Sequence, residues 1–106
     1  MHILIANFRP NGVSYELLVA VSVESAAFIN EMPGFIEKTH LWDEETQMTG
    51  GVYKFKDKAS VDAYLASDFW VQGTSDPSFQ KDSVRTFAAL EEATHLTHGF
   101  REVAVG

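Results

Sequence analysis

The order of elements along this sequence predicts an α+β domain of ferredoxin-like type, β-α-β-β-α-β, with a four-stranded antiparallel sheet and both helices on one face. Three observations carry that prediction. Short runs rich in β-branched and aromatic residues alternate with two stretches of helical periodicity. Turn formers fall at the junctions between them. The chain, at 106 residues with 45% hydrophobic and 12% aromatic residues, is sized for one core, so a single domain spanning 1–106 is expected.

His2 to Phe8 is the first strand, and it stops at the turn-forming cluster Arg9-Pro10-Asn11-Gly12. Ser14 is placed to cap a helix from Tyr15 to Met32, with Glu16 in its first turn favouring the helix dipole. Leu18, Val19, Val23, Ala26, Ile29 and Met32 recur at three- and four-residue intervals as its apolar stripe, and Ser25 falls off it. Pro33-Gly34 ends the helix. Phe35 to Trp42 is the second strand, with Ile36, Lys38, His40 and Trp42 on one face and Phe35, Glu37, Thr39 and Leu41 on the other. A polar connection from Asp43 to Thr49 and the pair Gly50-Gly51 lead into a third strand, Val52 to Lys56, forming a hairpin with the second. Asp57 caps a second helix through about Ser67. The segment Asp68 to Phe79 reads as a helical extension breaking into a loop. Ser83 to Leu90 is the fourth strand, Glu91 to Gly99 a terminal helical turn stopped by Gly99, and Phe100 to Val105 an extended tail. With both helices on one side, the other side of the sheet needs a cover. A second copy packed across a two-fold axis is the simplest one, so a homodimer is expected.

Composition narrows the function. Eight basic against fifteen acidic residues give a net charge of -7, and the basic residues are scattered singly, which excludes nucleic acid and anionic membrane as partners. Without cysteine there are no disulfides, thiolate metal sites or cysteine nucleophiles. The N-terminus lacks a signal-peptide pattern and no stretch approaches the ~20 apolar residues of a membrane span, so a cytoplasmic location without anchor is expected.

Pro33-Gly34-Phe35, then Lys38, Glu44, Gly50-Gly51-Val52-Tyr53, Phe55, Asp57 and Ala63-Tyr64-Leu65 resemble the YdhR-type monooxygenase family, a branch of the dimeric α/β-barrel superfamily. The run Leu90-Glu91-Glu92-Ala93-Thr94-His95-Leu96-Thr97-His98-Gly99 resembles that family's ending, so the likeness covers about residues 2 to 99. The resemblance implies a homodimer related to small enzymes that oxidise polycyclic phenols or anthrones to quinones with dioxygen and without metal or flavin. His40, Leu41 and Trp42 stand where other members carry different residues.

Such chemistry needs an apolar cavity for an aromatic substrate, a base or hydrogen-bond donor for its anion, and room for dioxygen. His40 has the proton-transfer group suited to neutral pH and shares a strand face with Trp42. Tyr53, on the paired strand, is the second catalytic candidate, and Phe55 follows it on the same face. Trp42 offers a stacking surface for a flat substrate, and Asn7 and Asn30 offer amide hydrogen bonds. Trp70, with Phe69, Val71 and Phe79, fits a flap over a pocket mouth. Lys38 and Arg85 read as ion-pairing residues that also suit an anionic substrate. His95, His98 and Glu91 share one side of a helical turn, but their spacing matches neither HExxH nor a facial triad, so no metal site is expected. Asp43-Glu44-Glu45 reads as a solvated loop. Three functions fit this inventory: a cofactor-independent monooxygenase acting on an aromatic, phenolic or polyketide-like small molecule, a noncatalytic small-molecule-binding or stress-related dimer, and an oxygen-independent cyclase or isomerase.

Overall fold

The computed structural model describes residues 1–99, so the expected tail from Phe100 to Val105 lies outside the described residues. The chain runs β1 (His2–Pro10), α1 (Tyr15–Asn30), β2 (Phe35–Asp43), β3 (Met48–Phe55), α2 (Lys58–Leu65), α3 (Asp68–Thr74), β4 (Phe79–Ala88) and α4 (Glu91–Leu96). The strands form one sheet in the order β2-β3-β1-β4, every pair antiparallel. This is the ferredoxin-like α+β architecture with a short second-half helix split in two. No described helix is long and apolar enough to cross a membrane.

Strand alternation decides what each side of the sheet does. In β1, Leu4 and Ala6 are fully buried beneath the helices. They join Phe55, Val61 and Tyr64 in the core, with Phe8 packed against it. Burying each large side chain of this kind is worth roughly 1.5–3 kcal/mol. Ile3, Ile5 and Asn7 alternate to the opposite side. There they lie beside Val52 and Phe87, and Phe87 is 51% exposed.

The helix starts are set by their capping residues. The Ser14 hydroxyl accepts from the Leu17 amide at 3.1 Å, and the Asp57 carboxylate accepts from the Ser60 amide at 2.9 Å and its hydroxyl at 2.7 Å. These bonds hold the Asp57 carboxyl below the usual carboxylate range. Gly34 has φ +74° and sits against Ser60, so a β-carbon there meets both the wrong dihedral and the Ser60 side chain. That close approach seats α2 over the start of β2.

Several boundaries differ from expectation, each for a local reason. Helix α1 stops at Asn30 because Pro33 lies ahead, and the Glu31 and Met32 amides close onto the Phe28 and Ile29 carbonyls. Strand β3 begins at Met48, since Gly50 and Gly51 keep their place in the ladder opposite Asn7 and Ala6. Strand β4 begins at Phe79, because a bulge opposite Asn7/Phe8 lets pairing with β1 continue past Asp82. The second helix breaks at Ser67, whose hydroxyl donates to the Tyr64 carbonyl at 2.6 Å and caps a new helix by accepting from the Trp70 amide. Asp68 to Thr74 is therefore helical, and only residues 75–78 form the loop. A register slip between Phe35 and Glu37 places Phe35 opposite Phe55, on the helix-covered face with Lys38 and not across from it. At the end of α4 the left-handed residue is His98, φ 67°, and not Gly99. The Gly99 and His98 amides bond back to the Thr94 and His95 carbonyls in a Schellman closure.

Candidate functional site

The antiparallel register of β2 on β3 assembles the site. Lys38 lies opposite Tyr53, His40 opposite Gly51 and Trp42 opposite Thr49, all on the helix-covered face. Above them α1 presents Leu18, Ser22, Ser25 and Ile29, one turn apart, and α3 presents Phe69 and Trp70. Between the layers is a cavity of about 140 Å³, open on one side, walled by Phe8, Tyr53, Tyr64 and Trp70. His40 is exposed at its mouth. It also borders two adjoining grooves, one over Tyr15, Val23 and Trp42 and the other over Ala26, Asn30 and Ile36.

Gly51 is the feature that lets these groups meet. A β-carbon at Gly51 would run into the Lys38 side chain and press on the Tyr53 ring. Without it the Lys38 stem lies across the strand, and its ammonium stands 4.5 Å above the Tyr53 ring centroid. A cation over an aromatic face is favourable by about 1 kcal/mol or more where water is displaced. Burial still disfavours the charge, and the Lys38 pKa falls from 10.5 to about 8. Among the described residues no carboxylate pairs with it. Its neighbour Glu37 points to the other side of the sheet and binds the Lys54 ammonium at 2.6 Å.

The other titratable groups follow from the same burial. His40 is held below the ordinary histidine value, first by desolvation and then by the Lys38 charge, which favours the neutral imidazole. Burial raises Tyr53, against an opposing contribution from the Tyr64 hydroxyl. Burial, then the Tyr53 charge and hydrogen bond, raise Tyr64. The two rings lie 5.4 Å apart. The cavity thus offers a neutral base at its mouth, neutral phenol donors within, and one ammonium on its floor.

Three of the sequence candidates, His40, Tyr53 and Trp70, line this cavity. Trp70 is 8% exposed and helical, so it is part of a wall, packed against Phe8 at 5.9 Å and Tyr64 at 5.5 Å. Trp42 lies in the neighbouring groove at 5.8 Å from the Tyr15 ring. Asn30 borders the other groove. Phe55 is fully buried behind Tyr53, in contact with Phe35 and Tyr64, and is not among the cavity walls. Asn7 is on the opposite side of the sheet, donating to the Ser83 hydroxyl at 3.1 Å. Among the described residues no three His, Asp or Glu converge, and Glu91 is engaged by the N-terminal amine at 3.3 Å. Ser22, Ser25 and Tyr64 are site residues without a sequence signal, while Lys38, expected to ion-pair or suit an anionic substrate, and Phe69 and Phe79, expected in a flap, line the cavity as well. The shared strand parity of Lys38 and His40 was the available signal for placing those two together.

The fold is similar to that of several solved structures. SnoaB, a cofactor-independent oxygenase from Streptomyces nogalater, superposes with a TM-score of 0.68 at 19% identity, over 83% of this chain and 91% of that one. A mutant of the same protein gives 0.69 at 17% identity, over 85% and 93%. Rv0793 from Mycobacterium tuberculosis gives 0.69 at 15% identity, over 87% and 97%. At these identities the likeness is one of fold. No curated protein matches the sequence. The family described as "Putative mono-oxygenase ydhR" matches residues 3–100, and the chain belongs to that family.

Proposed function

We propose that this protein is a cofactor-independent monooxygenase that oxidises an aromatic, phenolic or polyketide-like small molecule with dioxygen. The observation that carries the reading is the pairing of a neutral imidazole, His40, with an aromatic-walled cavity whose interior donors are phenol hydroxyls. Membership of a mono-oxygenase family supports it. A cavity of roughly 150 Å³ accepts one benzene-sized ring, so this one takes the reacting ring, and further rings extend past His40 into the grooves.

In this reading His40 accepts the proton of an acidic C–H or O–H, and the resulting carbanion-like anion supplies the electrons that reduce dioxygen. A new C–O bond forms as a hydroperoxide, which loses water to leave a carbonyl. One oxygen atom enters the product and the other leaves as water, with no external reductant. Tyr53 and Tyr64 donate to the developing oxyanion, and Trp70 keeps bulk water from it.

The test is oxygen uptake by chelator-treated protein against anthrones, naphthols and quinols, with product analysis and an anaerobic control. Uptake that falls at least tenfold in His40→Gln supports the reading. Absence of uptake from a compound that still raises the melting temperature replaces it with a binding function, and the same product formed anaerobically replaces it with a cyclase or isomerase.

We further infer a two-fold homodimer through the uncovered side of the sheet, supported by Ile3, Ile5, Val52 and the half-exposed Phe87 on it. Sedimentation of wild type and Phe87→Glu tests this, with the variant expected to shift toward monomer.

A further inference from the structure

We propose that the Lys38 ammonium is the oxyanion site of this cavity, so that the compound selected is an aromatic one bearing an ionisable hydroxyl, bound with its ring against Tyr53 and Trp70 and its oxygen on Lys38. The inference rests on reading the cavity as the substrate site and adds the residue that holds the substrate's oxygen.

Charge distribution is the first argument. The chain carries fifteen acidic side chains, yet none lines this cavity. On α1, which roofs it, Glu16, Glu24 and Glu31 are all exposed and absent from the lining, while the inward positions are Leu18, Ser22, Ser25 and Ile29. Glu37 is taken up by Lys54 on the other side of the sheet. A lysine kept in a partly desolvated site with only a ring face for company is an unmet charge. An anion arriving there gains a charge-assisted hydrogen bond in a low-dielectric setting and restores neutrality.

Position is the second argument. Lys38 and His40 lie two residues apart on one strand face, and both border the cavity and the groove beside it. A carboxylic acid arrives already ionised and needs no base. A hydroxyl on an aromatic ring does need one, and the neutral imidazole at the mouth takes its proton while the ammonium holds the oxygen left behind.

The probe is 4-nitrophenol, whose absorbance distinguishes phenol from phenolate, with 4-nitroanisole as its uncharged counterpart. Wild-type protein is expected to bind phenolate in preference to the anisole, and to move the phenol–phenolate transition of bound probe about one pH unit or more below its free value. Lys38→Met is expected to weaken phenolate binding about 10- to 100-fold, the worth of one hydrogen bond to a charged group, with anisole binding retained. Lys38→Arg keeps the preference for the anion. The proposal falls if wild type binds the anisole as well as the phenolate, if it binds neither, or if folded Lys38→Met binds phenolate like wild type. The wild-type preference decides the matter should Lys38→Met fail to fold. Binding requires no turnover. Lys38-dependent phenolate binding without oxygen uptake overturns only the oxygenase reading, and uptake unaffected by Lys38→Met overturns only this one.

Discussion

The helix-covered side of the sheet has two halves built on opposite plans. Under α2, Leu4, Phe55 and Val61 are fully buried, and Tyr64 joins them with its ring 5.5 Å from that of Phe55. Under α1 the same sheet meets Ser22 and Ser25, a lysine, a histidine and about 140 Å³ of open space. One sheet and one kind of helical cover thus give a close-packed core and a cavity side by side. The difference lies in what the covering helix turns inward. Helix α2 inserts Val61 and Tyr64, whereas α1 alternates Leu18 and Ile29 with hydroxyls and leaves Val23, 70% exposed, and Phe28 outside. Stability is concentrated in one half and chemistry in the other, with Tyr64 bordering both.

The largest expected effect tests the packed half. Phe55→Ala removes a fully buried ring in contact with three other aromatic residues and should cost about 3–5 kcal/mol in denaturant unfolding. A loss below about 1 kcal/mol would erase the contrast drawn above.

The next effects belong to the cavity half and show in pH dependence. Lys38 has a folded pKa of about 8 against 10.5 ordinarily. Between those values the unfolded chain binds more protons than the native one, so stability rises with pH through that window. Lys38→Met should abolish that rise and leave stability near pH 7 unchanged or improved, as measured by thermal melts across pH 7 to 11. His40 shifts in the same direction, so oxygen uptake should fall away on acidification only below pH 6.5, as the imidazole takes up a proton. In Lys38→Met that acid limb should move part of the way back toward 6.5. The move is partial because desolvation is the larger cause and remains. A limb unmoved by the variant would separate His40 from Lys38 electrostatically.

The smallest effect is expected on the outer surface of α2, where Lys58 and Asp62 form an exposed pair at 2.8 Å. Lys58→Ala should cost about 0.3–0.5 kcal/mol, and less in high salt.

Much of this arrangement was legible in the sequence, and the exceptions share a cause. Pro33-Gly34, Gly50-Gly51 and Asp57 marked the element order because each has a backbone role that chemistry alone predicts. Gly50-Gly51 also misled, since glycine was read as ending a segment where the ladder needs no side chain. Helical periodicity treats a hydroxyl as outward-facing, so Ser25 was left off the stripe while Val23 was placed on it. In a helix covering a cavity that rule inverts. Asn7 could be assigned the same parity as Ile3 and Ile5, but which parity faces the helices was hidden, because both faces of β1 are apolar. Lys38 was read as an ion-pairing residue that also suits an anionic substrate, and the carboxylate next to it in sequence is Glu37. Strand alternation sends those two to opposite sides.

The absent side chain at Gly51 has a practical meaning for redesign. It acts as an address, fixing where a positive charge comes to rest inside an otherwise acidic molecule. Adding a single methyl group there would displace the lysine stem and press on the buried Tyr53 ring beside it. Position 51 is therefore where a small library would retune this scaffold from charged toward neutral guests, one carbon atom at a time.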